Sequence, residues 1–497
     1  MPTINQLVES IPNRFKPEKS KDLETIINFD IKGFEKGIFN VKIENENCFV
    51  IYGFSENAKC NLKLSEKNYI LLETGKLKPQ TAVLTGKLKV SNINEMLKFS
   101  KCFGRYKETK PDEQKIMYRP EKNGPLKGVK IVDLTRLVPG PLATMYLAQM
   151  GADVIKVEDE DFPDYIRDYP PDFNGQSAYY QVLNKSKRSL TINMHSNEGK
   201  EILKKLVKVS DVIIEQFRPG IMDKMGFSFE ELKKINPKII YISLTGYGQT
   251  GNYSNTAGHD LNFIATSGIL NLIRDETNKP IIPNFQIGDI AGGSYMLITA
   301  VTTALYQREK NKQAQKIDVS MLDSILPLMS LSVAEHVANN LPETGAAKTE
   351  LSGKLANYNI YQCADNKWIA LAALEPKFWN IFCDIVQKPN WKEWILPEIS
   401  EKNNLKNHLE ELFKSKDSEY WVILTENTDS CVSPVNSYDD IFNNTHIKQR
   451  ESIITDLKTG LKTFSFPIKF SESTTNNIWE APNLGEDNEQ ILSEIDL

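Results

Sequence analysis

Short runs of alternating apolar and polar residues open the chain. FNVKI (39–43) and CFVIY (48–52) flank a polar turn and predict two strands; NLKLS (61–65) and TGKLKVSN (85–92) predict two more. Between them SEKNYILLETG (65–75) predicts a short helix stopped by Gly75, and INEMLKFSKCF (93–103) places apolar residues at helical spacing. Residues 1–106 therefore form a small α+β unit. Residues 107–125 are charged and hold Pro111, Pro120 and Pro125 with few apolar positions, which predicts a linker.

The pattern then changes. VKIVDLT (129–135), ADVIKVE (152–158), DVIIEQF (211–217) and KIIYISLTGYG (238–248) read as buried strands. PGPLATMYLAQMG (139–151), NEGKEILKKLVKVS (197–210) and FEELKKINP (229–237) read as the helices between them. Such alternation predicts an α/β doubly wound parallel sheet, here a large domain over 126–330 completed by about 451–497. YNIYQCADNKWIALAA (358–373) predicts a hairpin around Asp365–Asn366, inside a smaller α+β domain over 331–450.

The chain has 497 residues, 40% hydrophobic and 25% charged, so it is globular and long enough for large cores. Residues 1–110 carry 19 Lys and Arg against 13 Asp and Glu; the remaining residues carry 41 against 52. That asymmetry points to two modules of different character. No basic face with interleaved aromatics suggests nucleic acid, and no apolar run approaches the ~20 residues of a membrane span. Cys48, Cys60, Cys102, Cys363, Cys383 and Cys431 form no CxxC pair, which predicts reduced thiols rather than zinc or redox motifs. The first residues lack a secretory pattern and SEIDL is not a sorting signal. An intracellular location is expected, with no terminal address to choose among cytoplasm, peroxisome and mitochondrion.

Several ordered blocks carry a family likeness. LKGVKIVDLTRLVPGPLATMYLAQMGADVIKVE opens it, followed by LNKSKRSLTINM, DVIIEQFRPGIMDKMG, NPKIIYISLTGYGQTGNY, AGHDLNFIATSGIL, IGDIAGGS, IDVSMLD and NLGEDNEQIL. This region resembles the family III CoA-transferases and, within them, the α-methylacyl-CoA racemase branch. YILLETGKLKPQTAVLTGKLKVSNINEMLKFSKCF (69–103) resembles the sterol carrier protein type 2 domain. The resemblance implies a racemase fused to a lipid-binding domain, an interlocked homodimer, and no cofactor beyond the CoA thioester substrate.

Three positions bear on the chemistry. Transferases of this family use an aspartate nucleophile in a YD-like motif, whereas this chain reads Gly258–His259–Asp260, the racemase form. The resemblance implies His259 and Asp289 as the acid/base pair, Glu375 as support for His259, and the backbone amide of Asp260 as an oxyanion donor. Inverting the α-carbon of a thioester requires one group to take a proton and another to return one on the opposite face. Histidine titrates near neutrality by itself; an aspartate needs burial to reach that range. A helix start supplies amides for the enolate oxygen. Read singly, His259 is a structural or surface histidine, Asp289 a helix cap, and Glu375 a first-turn helix residue. His195, His336, His408 and His446 read as non-catalytic.

By position in the family blocks, the resemblance implies that CoA runs past Ile192, Asn193, Met194 and His195, then Gln216, Phe217, Arg218, Pro219, Gly220, Ile221 and Lys224, then Gly258, Leu261, Asn262 and Phe263. Arg218 and Lys224 suit phosphates by charge. Asp159 and His195 stand where related racemases often place basic residues, which leaves Lys185, Lys187 and Arg188 as candidate substitutes. SKRS (186–189) lacks the glycine spacing of a P-loop. The expected substrate is a branched or sterol-derived acyl-CoA, with a lipid ligand in the N-terminal domain that raises local substrate concentration by tethering. Two rivals stand beside this reading: a CoA-transferase with Asp260 as nucleophile, and a non-catalytic acyl-CoA or lipid carrier.

Overall fold

The computed structural model describes residues 4–21, 23–34, 38–45, 47–74, 77, 79–103, 123–275, 277–339, 349–456, 460–473, 475 and 478–495. Gly75 and nearly all of the expected linker 107–125 lie outside these residues. The chain divides into two units, Met1–Tyr118 and Arg119–Leu497. Among the described residues, no helix is long and apolar enough to cross a membrane.

The first unit is a five-stranded sheet of β1 (Thr25–Lys32), β2 (Phe39–Glu44), β3 (Asn47–Tyr52), β4 (Cys60–Ser65) and β5 (Leu88–Val90), in the order β3-β2-β1-β4-β5. Only β1 and β4 pair in parallel. The helix Glu66–Glu73 is capped by Ser65, and Ile93–Lys101 by Asn92. The central strand β1 escaped the alternation pattern because it is buried on both faces and carries a polar residue inside. Asn28 is satisfied there by the Ser55 carbonyl at 2.9 Å and Asn61 Oδ1 at 2.8 Å. Phe29, Phe39, Tyr69 and Phe99 pack together over the sheet, Phe29 and Phe39 stacking at 4.8 Å.

The second unit is built on β6 (Lys130–Leu134), β7 (Asp153–Glu158), β10 (Arg188–Thr191), β11 (Val212–Glu215), β12 (Ile240–Thr245) and β13 (Gln315–Ser320); a two-residue hairpin, β8 (Asp172–Phe173) and β9 (Gln176–Ser177), lies apart. The sheet order is β10-β7-β6-β11-β12-β13 and every pairing is parallel. This is a doubly wound order, which reverses between β6 and β11 and leaves a crevice at their carboxyl ends. One core lies on each face, around Leu147, Ile242 and Val301 on one side and Ile155, Leu206 and Phe227 on the other. The tail returns to cover the edge strand β10. Asp487 and Asn488 accept the Ser189 and Thr191 amides at 2.8 and 2.9 Å, and Arg188 pairs with Glu494 at 2.8 Å.

Within this unit β14 (Tyr358–Gln362), β15 (Trp368–Ala372) and β16 (Val432–Pro434) form a separate antiparallel sheet. Asn366 takes a positive φ of 62° in the β14–β15 turn, which Asn tolerates. Trp379, Phe382, Phe413 and Trp421 fill its core.

Candidate active site

A cavity of about 400 Å³ opens at the crevice where the strand order reverses. Leu137 and Pro139 follow β6, Gln216 to Pro219 follow β11, Gly246 and Tyr247 follow β12, and Met321 follows β13. His259 and Asp289 both line it.

His259 is the N-cap of the helix Asp260–Ser267 and has extended backbone, φ −125°. Its N–H donates to Asn262 Oδ1 at 3.1 Å, which fixes the helix entry, and its side chain is exposed. Gly258 before it is dictated by space: a Cβ there would lie 2.8 Å from the Phe263 ring and 2.9 Å from the Tyr247 hydroxyl.

Asp289 is the third residue of a π-helix, Ile287–Tyr295, a rare form that occurs often at functional sites. The glycines of IGDIAGGS explain the tight fit. A Cβ at Gly292 would lie 2.6 Å from the Met321 carbonyl, and one at Gly293 2.6 Å from Pro139 Cβ. The π-helix is thus wedged between the helices starting at Pro139 and Met321. Burial, and then the Asp260 carboxylate, push the Asp289 carboxyl from its ordinary value up to about 7. Burial also raises Asp260, although it accepts backbone N–H groups of Asp289 (2.9 Å) and Gly288. The Asp260 side chain is therefore turned onto the start of the π-helix, and Asp260 is not among the cavity-lining residues.

Of the residues expected along CoA, Gln216, Phe217, Arg218, Pro219, Gly258 and Phe263 line the cavity; Gly220, Ile221, Lys224, Leu261 and Asn262 do not. Ile192 and Met194 place their side chains in a hydrophobic core. Asn193 Oδ1 accepts the His195 and Ser196 amides, and His195 is exposed away from the cavity lining. The candidate substitutes for phosphate contact are corrected outright, because each is engaged in an ion pair. Lys185 pairs with Asp456 at 2.9 Å, Lys187 with Asp133 at 3.1 Å, and Arg188 with Asp153 and Glu494. Their partners were invisible in the sequence, since they lie 35 to 306 residues away. Glu375 stands at the N-cap position of the helix Pro376–Ile385 in the small sheet's module without a side-chain cap hydrogen bond, is exposed, and is not among the residues lining the cavity.

Glu215 was not anticipated. It ends β11 inside the apolar run VIIE, buried, and accepts the Phe217 N–H at 2.8 Å beneath the cavity-lining turn. Burial pushes its carboxyl up to about 7. A lone acid closing an apolar strand at the reversal point was the available signal. No cluster of metal-ligating side chains occurs among the described residues.

The first unit holds its own cavity, about 330 Å³, lined by Phe29, Leu62, Leu64, Tyr69, Met96 and Phe99 among others. Arg14 and Glu73, 2.7 Å apart, form an ion pair on its wall.

Comparison with known proteins agrees with this architecture. Over 372 residues the chain is 30% identical to human alpha-methylacyl-CoA racemase, covering 74% of this chain and 93% of that protein. It is 31% identical to human succinyl-CoA:glutarate CoA-transferase over 385 residues, 75% of this chain and 86% of that one. The crystal structure of a CAIB/BAIF family protein from Brucella suis superimposes with a TM-score of 0.66 at 28% identity, covering 76% of this chain and all of that one. The SCP-2 sterol transfer family matches residues 4–104, and CoA-transferase family III matches residues 126–488. With the sheet order, the reversal-point cavity and these matches in agreement, the chain belongs to CoA-transferase family III and carries an SCP-2 domain N-terminal to it.

Proposed function

We propose that the enzyme interconverts (2R)- and (2S)-2-methylacyl-CoA thioesters by proton transfer between His259, Asp289 and the α-carbon. The observation that carries this reading is that His259 and Asp289 line one cavity, whereas Asp260 is absent from its wall and its carboxylate is held by backbone amides. An Asp289 carboxyl at about 7 is poised to give as well as take a proton near neutrality. In one direction His259 removes the α-proton, the thioester carbonyl becomes an enolate, and Asp289 returns a proton to the opposite face. Asp260, whose amide the likeness implies as donor to the enolate oxygen, is not on the cavity wall, and the scheme gives that amide no step. Atoms balance without an electron acceptor, so the CoA thioester is the only small molecule the reaction needs. Glu375 has no step in this scheme.

Arg218, exposed and among the residues lining the cavity, is the cation assigned to CoA phosphate. The SCP-2 domain's apolar cavity is read as a site for the acyl chain or a related lipid. The active form is read as a homodimer.

The similarity to succinyl-CoA:glutarate CoA-transferase supports a second reading, in which Asp260 is an acyl-accepting nucleophile. One experiment separates the two. A single-enantiomer 2-methylacyl-CoA is incubated in deuterium oxide without any carboxylic acid acceptor. Deuterium at C2 with loss of stereochemical purity is expected. No exchange, with CoA transfer once an acceptor acid is added, moves the chemistry to Asp260.

A further inference from the structure

Leu137 stands on the cavity wall with φ +63°, a left-handed backbone conformation that a leucine adopts only when its surroundings hold it there. The group that holds it is Asp164. Both carboxylate oxygens accept the Leu137 N–H, each at 3.2 Å. The same carboxylate accepts the Ile166 N–H at 3.2 Å, capping the short helix that begins at Tyr165, a second cavity-lining residue. Asp164 thus fastens two separate segments of the wall with one side chain.

Asp164 is itself fixed. Its side chain has no solvent exposure and pairs with Lys156 at 3.0 Å, equally buried. Lys156 Nζ also donates to the Thr135 carbonyl at 2.9 Å, two residues before Leu137. The Asp164 N–H donates to Glu158 Oε1 at 3.1 Å, and Glu158 pairs with Arg167. A buried carboxylate with this many directed partners is costly to build and sensitive to the loss of any of them. It stands beside the cavity yet is not on its wall, so it has no part in the proton transfer.

We propose that Asp164, locked by Lys156, is a positioning residue that holds Leu137 in its left-handed conformation and sets, with Tyr165, the wall against which the acyl-CoA binds. The inference rests on the reading of this cavity as the acyl-CoA site. The wall acts alike on bound substrate and transition state, so its distortion raises KM and leaves kcat nearly unchanged.

A double-substitution cycle on the full chain tests this, with Asp164→Ala, Leu137→Gly and the two combined. Glycine takes a positive φ without help, so the need for Asp164 shrinks in its presence. Asp164→Ala is expected to raise KM for 2-methylacyl-CoA by about tenfold or more in the parent and by only about threefold or less in the Leu137→Gly background. A purely structural role would lower thermal stability in both backgrounds and leave no such coupling in KM. Should Asp164→Ala fail to fold because Lys156 is left buried and unpaired, Lys156→Met with Asp164→Ala removes both charges and takes its place. The dissociation constant for the same thioester, measured without turnover, is read alongside. If the parent shows no α-proton exchange, the proposed reaction fails while the coupling is still read in binding. An equal rise of KM and dissociation constant in both backgrounds, or no rise in a folded variant, overturns the proposal.

Discussion

Asp133, fully buried, and Asp289, half-buried, are two aspartates of the same unit in opposite electrostatic surroundings. Burial alone would raise both. At Asp133 the ammonium groups of Lys187 and Lys156 and the hydroxyls of Thr135 and Thr144 outweigh it and bring the carboxyl down to about 2. At Asp289 the Asp260 carboxylate adds to burial, and the carboxyl rises to about 7. Burial sets the cost of the charge, and the partners decide its sign. The first site is a permanent fastening between β6 and the strand that follows Lys187; the second can exchange a proton at neutral pH. A perturbed acid in a cavity is where chemistry is expected.

The sharpest break of this comparison is Asp289→Asn. It is expected to lower racemisation by about 10²–10⁴-fold without lowering thermal stability, as steady-state kinetics and thermal melts will show. The counterpart is Lys187→Met. It removes the ammonium in direct ion-pair contact with the buried Asp133 and is expected to cost about 3–5 kcal/mol in denaturant unfolding. Adding Asp133→Asn should recover much of that loss, whereas a second substitution beside Asp289→Asn should recover no activity.

The two sites also predict opposite pH slopes. Asp289 has its folded pKa raised, so its contribution to stability is full below the ordinary carboxylate range and is lost as pH rises through about 7. Asp133 has its folded pKa lowered, so its contribution is present above the ordinary range and is lost as pH falls toward about 2. Asp289→Asn should therefore melt a few degrees above the parent at pH 8, with the difference closing by pH 4. The smallest effect belongs to Asn262→Ala. Loss of its hydrogen bond to the His259 N–H is expected to cost about 0.5–1 kcal/mol of stability and a few-fold in rate, read from melts and kinetics together.

Much of this was legible in the sequence because it is local. The strands around Ile131, Val154, Ile213 and Ile242 declare themselves as apolar runs, and Ser65, Asn92 and Ser196 cap helices where the pattern placed them. His259, Asp289 and the segment Gln216–Pro219, each singled out in the sequence, line one cavity. What was hidden depends on distant partners. The basic residues Lys185, Lys187 and Arg188 look like free cations until the fold brings Asp456, Asp133 and Glu494 to them. At Ile287–Tyr295 the sequence offers only a helix-capping reading of Asp289, and the π-helix emerges once Met321 and Pro139 are seen to press on its glycines. The longest described helix, Met296–Asn311, follows directly from it and lacks a cap residue at its start to announce it.

The central claim is that His259 and Asp289 each serve one face of the α-carbon. The direct measurement is enantiomer-resolved deuterium incorporation by His259→Ala and Asp289→Asn, using each pure 2-methylacyl-CoA in turn. The account predicts that each variant loses racemisation yet still exchanges the α-proton of one enantiomer, and that the two variants retain opposite enantiomers. Undiminished racemisation in either variant, or residual exchange of the same enantiomer in both, would contradict it.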